Sequence, residues 1–570
     1  MSAAELQALL SVLSTKVTDL GTVQGTVQLS ALSSVLEVAR NHAEMTIFRH
    51  NRVEESRSLQ HFVTVLVRYL RETEDLLREW TGRNRSDREE MSILTAKLTA
   101  LTELFVPATE VSVQSLFMRA ENDRSWQRLR QITQLVLPDD EQVLKQKFGN
   151  FTRKVAVGNA MLQSAEEYRD GNMRKIVVGS RAVYFCYCRD QAVQQTRLNY
   201  ANPDLNTAKA LWNLVDSRLV SPVYQTMLLS IHQNSVIYLP RIAPHVLSNI
   251  AADDSERIQH SGKHYIEQLQ EEPLYSMVAY TETMDPAQVR IQVRVLSPFD
   301  LPMAYVNQRP YWSFCCGEGV QPGRPLKQLI LHFHGGGFIS MSSASHQNYT
   351  RRWAVGANTP VLSVDYRLAP ECKYPDALDD CWQAYVWVVH HAKKYLGVSP
   401  DKVVLAGDSA GGNLALGVTL RCVQTGEKVP SGLLLSYPCA SMDCRHFSPS
   451  LSLCLEDPLV PYSFLKLCVE SYLRPSDNPQ SDPYLSPLVA SPSDLCHFPP
   501  VRIMIGTLDP LLDQSLELAD RLLEAGVSVK LAQFEGMGHG SLNLDIAIGV
   551  GEARKMVNQG LEYLQELLEV

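Results

Sequence analysis

The sequence predicts an α/β protein: a mostly parallel sheet with helices on both faces, preceded by a large, mainly helical N-terminal domain. Short apolar runs at 329–333, 361–364, 403–406, 433–436, 501–505 and 529–534 are mostly separated by enough chain for a helix. Strands buried on both faces read as such runs, and helical crossovers are what join parallel neighbours. Ahead of them, Val289, Ile291, Val293 and Val295 alternate with polar residues as in a half-buried strand, behind a turn at Asp285-Pro286. The first 250 residues have a different grain, with apolar residues recurring every three or four positions.

Each N-terminal helix has its own signals. Leu59, Phe62, Val63, Leu66, Leu70, Leu77 and Trp80 form one stripe that ends near Gly82. Ser86 with Glu89 has capping-box spacing, and Met91, Leu94, Leu98, Leu101 and Phe105 continue an apolar face until Pro107 stops it. Further helices are expected over 139–170 and 206–234. The resulting division is a helical domain at 1–250, a linker with the leading strands of the sheet at 251–325, and the main α/β domain at 326–570. Residues 439–499 are expected to form a partial cap or lid.

Composition narrows the function. A chain of 570 residues exceeds the roughly 250 to 300 at which single cores stop growing, so two domains are expected. With 45% hydrophobic and 20% charged residues it is not a largely disordered chain. The net charge of −9 is spread without a long basic block, which argues against nucleic-acid binding. Glu5, Lys16 and Asp19 interrupt the leucines of the N-terminus, so no secretory signal is expected. Arg68 breaks the most apolar stretch, around 62–70, so no transmembrane segment is expected either. The 12 cysteines include Cys186 with Cys188 and the adjacent Cys315 and Cys316, but no zinc-site spacing. Reduced thiols, a cytoplasmic location and no metal follow as expectations.

The chemistry sits at strand ends. The run 403–406 leads into Gly407-Asp408-Ser409-Ala410-Gly411-Gly412, a G-x-S-x-G pentapeptide followed by a helix expected from about Asn413. Glycines flank such a serine because the strand-to-helix turn is too sharp for side chains, and the turn leaves the hydroxyl exposed at a helix N-terminus. The pattern matches the nucleophile elbow of α/β-hydrolases, and Ser409 is the expected nucleophile.

His334-Gly335-Gly336-Gly337-Phe338 follows the strand at 329–333, where that fold builds the other side of an oxyanion hole. Gly336, Gly337 and Ala410 are the expected N–H donors. Serine needs a base, and the base needs a partner that fixes its tautomer. Asp509, directly beyond the strand at 501–505, is the preferred acid. Asp513 is the alternative, otherwise read as the cap of a helix at 514–525. His539, flanked by Gly538 and Gly540 after the last strand, is the expected base. His390 and His391, among the 15 histidines, read as surface or core residues of a helix. No cofactor is required.

At these residues the sequence resembles the hormone-sensitive-lipase family of α/β-hydrolases. The HGGGF at His334, the GDSAGG at Gly407 and the segment Asp365-Tyr366-Arg367-Leu368-Ala369-Pro370-Glu371 carry the resemblance, with Tyr484-Leu485-Ser486-Pro487-Leu488 and Asp509-Pro510-Leu511-Leu512-Asp513 beyond them. It spans about 326–545, with a weaker patch at Trp212-Asn213-Leu214. The resemblance implies an intracellular hydrolase of acylglycerols, diacylglycerol in particular, and of cholesteryl and other lipid esters. It also implies a homodimer, and association with a lipid-droplet surface or droplet protein.

Two features depart from the family. Tyr437-Pro438 and Val501 stand only about 60 residues apart, too close for the family's serine-rich regulatory insert. Arg83-Asn84-Arg85-Ser86, which resembles a kinase site, reads better as a helix cap. Ser541 occupies a position where the family usually has a bulky apolar residue. Other functions stay open: a carboxylesterase for short soluble esters, or a ligand-binding receptor on the same fold, which loss of the histidine would signal. The N-terminal domain can also serve as an interaction scaffold.

Overall fold

The computed structural model describes residues 128–150 in part, 205–240 apart from 217–220, 290–301, 325–545 apart from short stretches between 444 and 458, and 551–569. The stripes at 59–82 and 91–105, the segment Arg83 to Ser86 and Cys186, Cys188, Cys315 and Cys316 lie outside the described residues.

Nine strands form one sheet among the described residues: β1 (Thr133–Val136), β2 (Gln233–Pro240), β3 (Arg290–Ser297), β4 (Leu326–Phe333), β5 (Val361–Asp365), β6 (Val398–Asp408), β7 (Gly432–Ser436), β8 (Val501–Leu508) and β9 (Val529–Gly538). Their order is β1-β9-β8-β7-β6-β4-β5-β3-β2. Neighbours from β1 across to β5 run parallel, and β3 alone runs antiparallel, to both β5 and β2. Leu329, Ile330, Leu331 and Phe333 of β4, and Val403, Val404, Leu405 and Ala406 of β6, are wholly buried. Each large side chain among them contributes about 1.5–3 kcal/mol of burial to holding these strands central.

The helices are α1 (Leu205–Trp212), α2 (Ser221–Met227), α3 (Gln347–Gly356), α4 (Asp376–Leu396), α5 (Ala410–Thr425), α6 (Tyr462–Tyr472), α7 (Pro492–Leu495), α8 (Leu512–Glu524) and α9 (Ala553–Glu569). α3, α4, α5 and α8 are crossovers between parallel strands. α4 shows why such segments stop where they do: Asp376 and Asp379 complement the dipole in its first turn, Lys393 and Lys394 in its last, and Gly397 closes it in a left-handed conformation. α3 and α9 pack on each other, with Trp353 Nε1 donating to the Val557 carbonyl at 2.9 Å. A side chain at Gly560 would meet the same indole, 2.7 Å from Cζ2, so glycine lets the two helices approach.

The sheet corrects the expected division of the chain. β1 and β2 lie within residues 1–250, the region expected to be mainly helical, so the sheet begins before residue 251. The expected helix over 206–234 is α1, a 3-10 turn at Asn213–Asp216, and α2; it ends before β2 takes Gln233 and Asn234. The reason is local. Val236, Ile237 and Tyr238 favour an extended, half-buried backbone, and all eight residues of β2 pair with β3. Of the helix expected at 139–170, helical residues are described only between 142 and 150.

Candidate active site

The C-terminal ends of β4, β6, β8 and β9 assemble the site. Ser409 follows β6 with φ 54°, ψ −117°, a left-handed value that a non-glycine residue holds only when its surroundings impose it. They do: the Ser409 N–H donates to the Ser436 carbonyl at 2.9 Å, and its own carbonyl accepts from Gly412 at 3.0 Å and Cys439 at 3.2 Å. A Cβ on Gly407 would lie on the Gly411 carbonyl oxygen, and one on Gly411 would lie on that of Phe333. Only glycine fits either place. Because the serine carbonyl already begins the helical bonding, α5 starts at Ala410, three residues before the expected Asn413.

The expected base and acid lie beside this serine. His539 Nε2 is 2.9 Å from Ser409 Oγ, and His539 Nδ1 is 3.0 Å from each carboxylate oxygen of Asp509. Asp509 directly follows β8, is buried, and accepts the Leu511 N–H at 2.8 Å. Burial disfavours an imidazolium at His539, but the charge and hydrogen bond of Asp509, with Asp457 and Asp408 beyond, outweigh it and raise the pKa above 6.5.

The alternative acid is placed elsewhere. Asp513 accepts the Ser450 N–H at 2.7 Å and so holds the segment near 450. Nor does it cap the helix, which begins at Leu512 with Asp513 inside its first turn. β9 extends to Gly538 through a pairing of Leu508 with Gly538, so Gly536 and Gly538 belong to the strand rather than to a loop. His539 comes immediately after. Ser541 is buried and donates to the Gly538 carbonyl at 2.6 Å, closing the turn around His539. His390 and His391 lie on α4; the former is 3.0 Å from Glu427.

The HGGG segment is oriented by its carbonyls. In a trans peptide the C=O and the following N–H point in opposite directions. His334 Nδ1 lies 2.7 Å from the Gly335 carbonyl oxygen, so Nδ1 carries the proton and the Gly336 N–H is turned the other way. Burial, then His346, depress the His334 pKa to about 3, which keeps the ring neutral for that role. The Gly336 carbonyl accepts from Ile339 and Ser340, both at 3.1 Å, which turns the Gly337 N–H outward in the same manner. The N–H groups of Gly336, Gly337 and Ala410 have no protein partner among the described residues. They are available to an oxyanion.

Beneath this turn lies a buried network the sequence did not reveal. Asp408 Oδ1 accepts from the Gly335 N–H and from the Tyr349 hydroxyl, both at 2.9 Å, and Oδ2 faces His346 Nε2 at 3.5 Å. His332 joins through Tyr349 at 2.9 Å and Ser363 at 2.8 Å. Burial alone would raise the Asp408 pKa, but His346 and His332 hold it far below the usual carboxylate range. The same pairing outweighs burial at His346 and raises that group. Tyr366 stacks on His334, ring centroids 4.2 Å apart, and donates to its carbonyl at 2.6 Å, which explains one residue of the DYRLAPE segment.

Trp212 at the end of α1, and Phe464 and Cys468 on α6, form an apolar wall beside Gly337. A Cβ on Gly337 would be 2.5 Å from Cys468 Sγ and 3.4 Å from Trp212, while Trp212 meets Phe464 edge-on at 6.1 Å. Asp457, buried near His539, accepts from Leu459 at 2.8 Å and Val460 at 2.7 Å; burial raises its pKa to about 6. Tertiary contact brings these four side chains to the site; Trp212 lay in the patch noted by resemblance, and no motif marks Phe464, Cys468 or Asp457.

A serine on a strand-to-helix elbow, a histidine and a buried aspartate on later strand ends, and a glycine turn presenting N–H groups together define an α/β-hydrolase-fold protein. A family model described as alpha/beta hydrolase fold matches residues 330–543. Esterase LipI of Mycobacterium tuberculosis is 32% identical over 281 residues, 49% of this chain and 84% of that protein. Carboxylesterase NlhH of the same organism is 34% identical over 242 residues, 42% of this chain and 74% of that protein. The chain belongs to the α/β-hydrolase-fold family of these esterases. Hormone-sensitive lipase of Bos taurus is 33% identical over 289 residues, 49% of this chain, and the match spans 35% of that lipase's length.

Proposed function

We propose that this chain is a serine ester hydrolase acting on lipid esters, acylglycerols and diacylglycerol first, with cholesteryl and other lipid esters as further substrates. The observation that carries the chemistry is the 2.9 Å contact of Ser409 Oγ with His539 Nε2, backed by Asp509 at 3.0 Å. Ser409 Oγ adds to the ester carbonyl carbon as its proton passes to Nε2. The N–H groups of Gly336, Gly337 and Ala410 hold the resulting oxyanion. His539 then protonates the leaving alkoxide, which departs as alcohol and leaves the acyl group on Ser409. Water, losing a proton to His539, adds to that acyl group; collapse releases the carboxylic acid and restores the serine.

The lipid reading draws on the likeness to hormone-sensitive lipase and on the apolar wall of Trp212, Phe464 and Cys468 beside Gly337. Among the described residues, no helix is long and apolar enough to cross a membrane. Access to a lipid surface, directly or through a droplet protein, therefore belongs to the proposal, and flotation with lipid droplets tests it.

A second reading, a carboxylesterase for short soluble esters, is favoured by the matches spanning 84% and 74% of the two mycobacterial esterases. Hydrolysis of emulsified diacylglycerol compared with short-chain p-nitrophenyl esters separates the two. Turnover of the emulsion at a rate comparable to the soluble esters supports the lipase. Activity confined to the soluble esters leaves the carboxylesterase.

A further inference from the structure

We propose that Asn213 is a positioning residue for the oxyanion hole, acting on Gly336 through a single peptide plane. The inference rests on reading Gly336 and Gly337 as the oxyanion donors. It adds a residue from outside 330–543, the span of the family match.

The turn after β4 contains two non-glycine residues in the left-handed region, Phe338 at φ 63° and Met341 at φ 69°. Such residues persist only where neighbours over-determine them. Phe338 is fixed from within the catalytic domain: its carbonyl accepts the Ala369 N–H at 2.8 Å, and its ring stacks on Tyr472 at 4.2 Å. Met341 is fixed from the N-terminal side. Its N–H donates to Asn213 Oδ1 at 2.6 Å, and the next residue, Ser342, donates its hydroxyl to Asp216 Oδ2 at 2.7 Å. Both acceptors lie on the 3-10 turn Asn213–Asp216. Tyr224 of α2 continues the clamp with a 2.7 Å bond to the Ser345 carbonyl.

The Met341 N–H shares its peptide with the Ser340 carbonyl. That carbonyl packs so closely on Gly336 that a Cβ there would lie on its oxygen. Asn213 thus holds one end of a rigid plane whose other end packs on the α-carbon of Gly336. The Ser340 N–H also pins the Gly336 carbonyl, and with it the direction of the Gly337 N–H. Without an acceptor at Asn213, the Ser340–Met341 plane is free to rotate about the left-handed Met341, and both donors lose their aim. Because the oxyanion exists only after attack, the loss falls on the transition state rather than on substrate binding.

The test is Asn213→Ala in the full chain, assayed with a soluble p-nitrophenyl ester and with an alkyl trifluoromethyl ketone, whose serine adduct places an oxyanion in the hole. The expected result is a kcat lower by about tenfold to a hundredfold, below the cost of deleting a donor outright. KM should change little, and ketone affinity should fall by the same factor as kcat. Asn213→Asp, which keeps an acceptor oxygen, should restore most of both. Where the alanine variant does not fold, Asn213→Leu fills the space without an acceptor and carries the same expectation. An unchanged kcat, a loss in KM alone, or an equal loss in Asn213→Asp overturns the proposal. Ser409→Ala run alongside separates the two claims: full activity there removes the hydrolase reading, whereas its inactivity beside an unaffected Asn213→Ala removes only the role of Asn213.

Discussion

Asp408 Oδ1 accepts the Gly335 N–H at 2.9 Å, so the residue before the serine is tied to the residue before the two glycines proposed as donors. The elbow and the glycine turn are therefore one unit, with His346 and His332 holding the Asp408 pKa down against the effect of burial. Asp408→Ala removes one partner of a buried pair and should cost about 3–5 kcal/mol of stability in urea unfolding. Asp408→Asn, which keeps the acceptor for Gly335, should cost less, and its kcat should stay above that of the alanine variant.

Activity should depend on pH through His539. The base must be neutral to take the serine proton, and its pKa is raised above 6.5 because Asp509 outweighs the effect of burial. Hence kcat/KM should rise with pH through a midpoint above 6.5 and then level off. In Asp509→Asn the charge that raises the group is gone, so the acid limb should move to lower pH. The plateau should drop by about 10⁴, because the amide no longer selects the productive tautomer. A pH–rate profile of both proteins checks this.

Asp457 makes a separate prediction about stability. Burial raises its folded pKa to about 6, above the unfolded value of 3.8. Folding thus favours its neutral form relative to the unfolded chain. The associated stability is present below 3.8 and is lost as pH rises through about 6. Asp457→Asn stays neutral and should gain about 3 kcal/mol over the wild type at pH 8, with little difference at pH 3.5. Denaturant titration at the two values measures it. Since the Asp457 charge also raises His539, the acid limb of the rate profile should shift to lower pH in the same variant.

Gly337 joins conformation to function. At φ 59° and with Cys468 Sγ 2.5 Å from where a Cβ would stand, Gly337→Ala must turn its peptide or push α6 away. A left-handed alanine costs about 1–2 kcal/mol, a fall of a few degrees in Tm for a domain of this size. The kcat loss should be larger, about a hundredfold, if the affected N–H holds the oxyanion as proposed. Calorimetry and steady-state kinetics on one preparation separate the two effects.

The parts legible in the sequence are those whose cause is local. β4 to β9 announced themselves as apolar runs because strands covered on both faces need nothing else, and Ser409 and His539 stood out through the glycines their turns require. Asp509 could be ranked above Asp513 by its place at a strand end. β1 and β2 were not legible. Thr133–Val136 is four residues long, and Gln233–Pro240 opens with Gln, Asn and Ser, so pairing with β9 and β3 decides their conformation. The network of His332, His346 and Tyr349 was equally hidden, because a histidine at 332 meets a tyrosine at 349 only once α3 packs beside the sheet. Asn213 stood in a patch noticed only by resemblance; its hydrogen bond to Met341 gives that patch a physical reason.

The central claim is that Ser409 is the nucleophile of an acyl-enzyme reaction, and labelling by a fluorophosphonate, read by peptide mass spectrometry beside ester hydrolysis, tests it most directly. The account predicts one adduct, on the peptide containing Ser409, stoichiometric with lost activity. It also predicts neither labelling nor hydrolysis in Ser409→Ala beyond the residual turnover of the oxyanion hole. Undiminished hydrolysis by Ser409→Ala, or stoichiometric inactivation with the label on another residue, would contradict it.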